Sequence, residues 1–159
     1  MCNAMGMWRL RSALFTLLTL AAFAIPSIAR ADRPDFSGVW QLDPQASKFS
    51  SQPVPTSGTI SVHQDGKKVR ISESYVYPRG EKSKAYEWRT DNRYHPVDAP
   101  EGAGMGQVIA RWDGESLAGD RKTGTGSESI RFMLSDANTL TQTVQDSSGF
   151  NSTVVWRRR

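Results

Sequence analysis

The sequence predicts an all-β domain, an antiparallel meander of about eight to ten short strands closed into a barrel. Three observations predict it. After Pro34 no stretch repeats apolar residues at helical spacing for three turns. Short runs that alternate apolar and polar residues recur instead, with Gly, Asp, Asn or Pro between them. The pairs Asp65-Gly66, Asp113-Gly114 and Ser148-Gly149 place a residue tolerant of positive φ where a tight hairpin needs one. Strands joined in that way are antiparallel, and closing them into a barrel leaves no edge to aggregate. A two-sheet sandwich is the alternative architecture for the same pattern.

Taken in order, the strands are expected at 38–42, 59–64, 68–77, 84–90, 107–112, 116–121, 128–134, 139–146 and 151–158. The Pro-rich segment Gln52-Pro53-Val54-Pro55-Thr56 reads as an ordered connection after the first of them. Glycine-rich loops are expected at 102–106 and 124–126. No internal repeat and no second domain is visible, so residues 32–159 are read as one domain.

Residues 1–31 read differently. Arg9 and Arg11 precede an uncharged, mostly apolar run over 12–28, and Ala29-Arg30-Ala31 closes it with small residues. That order predicts a secretory signal peptide cleaved between Ala31 and Asp32, and a periplasmic or extracellular location. A membrane anchor is the competing reading, against which Pro26 and the small-residue exit argue. The only cysteine, Cys2, lies in this segment, which leaves the expected mature chain without disulfides or cysteine-held metal.

Cleavage also changes the charge. The whole chain carries +4, but 32–159 holds 17 Lys and Arg against 16 Asp and Glu, a net charge of +1. Nucleic acid is therefore not an expected partner, and no stable membrane span remains after cleavage. Leu, Ile, Val and Phe are sparse in the domain, and four tryptophans (Trp40, Trp88, Trp112, Trp156) and four tyrosines supply the large buried area instead.

The segment Asp35-Phe36-Ser37-Gly38-Val39-Trp40-Gln41-Leu42-Asp43, followed by Ser47-Lys48-Phe49, resembles the start of the mature domain in a family of small secreted bacterial proteins of unassigned function. Phe-x-Gly-x-Trp-x-Leu with a following Ser-Lys-Phe marks that family. Asp91-Asn92-Arg93-Tyr94-His95-Pro96-Val97 looks like its central stretch, and the ending Val155-Trp156-Arg157-Arg158 also fits. The Gly-x-Trp on the first strand is similar to that of the lipocalin and fatty-acid-binding-protein superfamily. The resemblance implies a lipocalin-like barrel able to hold an apolar ligand. It also implies that Trp40, after Gly38, plugs one end of the core, with Arg157 or Arg158 from the last strand on its face.

Candidate ligand-binding residues come from polar side chains on apolar faces, since alternate residues of a strand share a face. On the face of Val69, Ile71 and Tyr75 lies Glu73, and on that of Leu140 and Val144 lies Gln142. Glu73, Tyr75, Tyr86 and Gln142 are expected to line an interior pocket and orient a ligand's polar head. The competing expectation is an ion-paired Glu73 near an open barrel end with no cavity.

No catalytic residue, metal or cofactor is expected. His63 falls on the polar face opposite Ile60 and Val62, and His95 before Pro96 reads as part of a solvated turn near Asp91, Asp98 and Glu101. The glycines around Gly124-Thr125-Gly126 lack the lysine of a phosphate loop, and no nucleophile elbow is present. These readings favour a monomeric, exported, non-enzymatic barrel with a small apolar ligand. The alternative is an envelope interaction or structural protein with a filled barrel.

Overall fold

A computed structural model describes residues 33–97 and 105–159. The expected signal segment 1–31 lies outside the described residues, as do Asp98, Glu101 and most of the loop at 102–106. Ten strands follow one another: β1 (Gly38–Leu42), β2 (Ser57–Asp65), β3 (Lys68–Tyr77), β4 (Gly80–Arg89), β5 (Tyr94–Val97), β6 (Gly106–Asp113), β7 (Ser116–Thr123), β8 (Gly126–Asp136), β9 (Thr139–Asp146) and β10 (Asn151–Arg158). Among the described residues no helix is long and apolar enough to cross a membrane.

All ten belong to one antiparallel sheet in the order β4-β3-β2-β1-β10-β9-β8-β7-β6-β5. The first strand pairs with the last, Trp40 opposite Arg158 and Leu42 opposite Trp156, which joins the two ends of the meander into a ring. A single sheet rules out the sandwich. The ring is not fully closed, however, because β4 and β5 form the two free edges and no ladder joins them.

That seam is where the sequence reading needs correction. Strand β5 was absent from it because Pro96 reads as a turn former, yet Pro96 pairs in register with Gln107 of β6. Proline is tolerated here because an edge strand needs a hydrogen-bonded ladder on one side only. Strand β4 likewise begins at Gly80, ahead of the expected start at 84, since its first residues are exposed on both faces and carry no periodic signal. Gly66, Gly114 and Gly149 do adopt positive φ (57°, 59° and 93°), as the hairpins at those dipeptides require.

The core sits inside the ring, where Trp40, Trp156, Phe36, Phe132, Ile60, Ile71, Leu117 and Leu140 are almost wholly excluded from solvent. Trp40 closes one end: its indole N–H donates to the Phe36 carbonyl at 3.0 Å, and Phe36 stacks on Trp112 with centroids 5.5 Å apart. The Arg158 guanidinium lies 4.1 Å from the centroid of Trp40 and donates to the Ser37 carbonyl, a placement that contributes about 0.5–2 kcal/mol. Gly38 has φ +135°, a backbone conformation that asks for glycine, and the Arg158 guanidinium lies directly above it. Arg157 points to the other face, where it donates to Asp43 Oδ2 and Thr139 Oγ1. Of the two candidate arginines, Arg158 therefore meets the tryptophan.

Candidate functional site

Register brings the four candidate residues together. Ile71 opposes Tyr86 and Glu73 opposes Lys84 across β3 and β4, while Gln142 opposes Val154 across β9 and β10, so all point inward. Glu73 is 2% exposed and Gln142 fully buried. A carboxylate in that position must be paired, and it is. Tyr86 Oη donates to Glu73 Oε1 at 2.5 Å, Tyr75 Oη to Oε2 at 3.2 Å and Gln142 Nε2 to Oε1 at 3.1 Å, while Lys84 Nζ stands 3.3 Å from Oε2.

The amide of Gln142 has only one possible orientation. Trp156 Nε1 can only donate, and it reaches Gln142 Oε1 at 3.1 Å; the amide nitrogen is thereby turned toward the acceptor-only carboxylate. Burial, and then the negative charge of Glu73, push the Tyr75 and Tyr86 hydroxyls far above the ordinary phenol range, so both remain donors. This cluster satisfies itself.

The open space lies beside it. A cavity of about 810 Å³ is bounded by β4, β5, β6, β7 and β8. Of the four candidate residues only Tyr86 is among its lining; Glu73, Tyr75 and Gln142 are packed behind it. Its apolar wall is made of Trp88, Val97, Val108 and Ile130, with the exposed Met105 at its margin. Trp88 reaches from β4 across the barrel and lies against Gly119 of β7, where any Cβ would stand 2.5 Å from the indole ring. The missing side chain of Gly119 is thus what admits the indole.

Two polar pairs border the same cavity. Arg121 Nη2 meets Glu128 Oε2 at 2.8 Å, and the buried Arg121 Nε has no hydrogen-bond partner among the described residues. His95, expected in a solvated turn, is instead on β5 and lines the cavity, with Nε2 2.9 and 3.0 Å from the two carboxylate oxygens of Asp91. That hydrogen bond is the main reason the Asp91 carboxyl lies below the usual carboxylate range. The correction has a local cause: Asn92 takes φ +60°, which reverses the chain early enough for the next residues to pair with β6. His63 is exposed, on the face expected for it.

Arg121 and Glu128 were missed by the sequence reading, although the parity rule that found Glu73 also finds them. Leu117, Gly119 and Arg121 share a face of β7, as do Glu128, Ile130 and Phe132 of β8. Among the described residues no group of three or more His, Cys, Asp or Glu side chains converges as a metal site would require.

No family model and no curated protein matches the sequence. Solved structures do match the fold. The fluorescent protein UnaG superposes with a TM-score of 0.61 at 14% identity, over 78% of this chain and 97% of that one. The chain has the fold of the fatty-acid-binding-protein-like barrels. A fatty acid transporter, REP1-NXSQ, gives 0.59 at 14% identity, covering 77% of this chain and 95% of that one. Fatty-acid-binding protein 1 of Echinococcus granulosus gives 0.56 at 10%, covering 77% and 96%. At such identities the likeness is one of backbone architecture.

Proposed function

We propose that the protein is an exported carrier or sequestering barrel that binds a small, largely apolar molecule inside the ring. The observation that carries this reading is the cavity of about 810 Å³ against Trp88, Val97, Val108 and Ile130, within the size range of small-molecule sites. Arg121 supplies the polar anchor: among the described residues its buried Nε–H has no acceptor, and a ligand carboxylate or carbonyl would provide one. The barrel neighbours named for fatty acids support the same class of ligand. Export is part of the proposal and rests on the order of charged, apolar and small residues in 1–31.

Titration of the purified protein with a dansyl-labelled undecanoate tests binding. Saturable enhancement in the micromolar range is expected, and its absence sinks the reading. The second reading, an envelope interaction protein acting through its outer surface, is favoured by the self-satisfied Glu73 cluster, which fills one side of the interior. Sequencing the N-terminus of protein recovered from a secreting cell checks export, with a start at Asp32 expected.

A further inference from the structure

We infer that the ligand passes sideways between β4 and β5 on its way to the cavity. The inference rests on the reading of the cavity as a ligand site and deepens it.

The lining of the cavity carries the argument. From β7 and β8 it takes only inward residues, Gly119 and Arg121, Glu128 and Ile130, as a wall seen from inside must. From β4 it takes both faces: inward Tyr86 and Trp88, and outward Ala85, Glu87 and Arg89. From β5 it takes inward His95 and Val97 and outward Pro96. A space that touches both faces of two strands runs out between them. No backbone ladder closes that route, because β4 and β5 are not hydrogen-bonded to each other.

The Glu73 cluster with Trp156, and Trp88 with its ring tilted against Phe132 at 5.8 Å, are packed inside the barrel beside the cavity. At the mouth, by contrast, the side chains are exposed or half-exposed and charged: Lys84, Glu87 and Arg89 on β4. The packed clusters thus form the back of the cavity, and the seam is its solvent-facing side.

The test uses the full chain with Cys2→Ser, so that a single new cysteine can be modified. Ala85→Cys places a bulky polyethylene-glycol maleimide on the seam, and Met133→Cys places it on the exposed outer face of β8 as control. Association of dansyl-labelled undecanoate is expected to slow about tenfold or more for the first, while the second stays within about twofold of the unlabelled protein. Melting curves confirm that both remain folded. Equal rates for the two labelled proteins overturn the side passage. Failure of the unlabelled protein to bind the probe instead overturns the ligand reading itself.

Discussion

The two sides of the barrel interior are built from similar side chains and behave in opposite ways. On the side of β3, β9 and β10, the buried Glu73 receives hydrogen bonds from Tyr75, Tyr86 and Gln142 and an ion pair from Lys84, and Gln142 in turn receives Trp156. On the side of β5 to β8, Arg121 pairs with Glu128 and, among the described residues, keeps an unpartnered buried Nε beside an open cavity. Among the described residues one side is fully paired and the other keeps a donor over. The difference teaches that a buried charged residue points to a binding site only when its hydrogen-bonding capacity is left over after folding.

Substitutions can break that contrast. The largest effect is expected from Glu73→Leu, which strands three inward donors; about 3–5 kcal/mol of unfolding free energy should be lost, measured by urea denaturation. A value below about 1 kcal/mol would show that the cluster is not what holds this side. Gly119→Ala forces the rigid Trp88 ring out of its place against β7. A loss of about 1–3 kcal/mol is expected, with a change in Trp fluorescence that reports the moved indole.

On the open side, Arg121→Leu should barely change stability, since the pair with Glu128 is partly exposed, yet weaken binding of the undecanoate probe about tenfold or more. Unchanged affinity would remove Arg121 as the anchor. At the closed end, Arg158→Ala is expected to cost about 0.5–2 kcal/mol through Trp40. Arg157→Ala, on the outer face, should cost about 1 kcal/mol at most, and thermal melts of the two variants separate them.

The smallest effect at neutral pH, and a growing one in alkali, concerns the phenols of Tyr75 and Tyr86. Folding raises their pKa above the ordinary value of 10.0. Their contribution is fully present below about pH 10 and is lost as the pH rises beyond it, because the unfolded chain releases protons that the folded one keeps. Alkaline unfolding followed by circular dichroism should show this slope, and Tyr75→Phe with Tyr86→Phe should flatten it.

Much of this was legible in the chain. Strands β1, β3, β9 and β10 begin and end where alternation and turn chemistry place them, because each is long enough for a period of two to show and is bounded by Gly, Asp or Asn. Parity alone turned Glu73, Tyr75 and Gln142 inward. Strand β5 was not legible, since a short edge strand containing Pro96 has the composition of a turn. Arg121 and Glu128 stood on readable faces but between a glycine and serines, where the apolar background that makes a polar residue conspicuous is thin.

By itself, then, the sequence determined the meander, its hairpins and which side chains face inward, because these follow from local backbone preferences and a period of two. Only the tertiary structure decided which inward residues satisfy one another and where space remains. Hydrogen-bond partners such as Glu73 and Gln142 lie far apart along the chain, and whether β4 meets β5 depends on how far the whole sheet curls rather than on either strand.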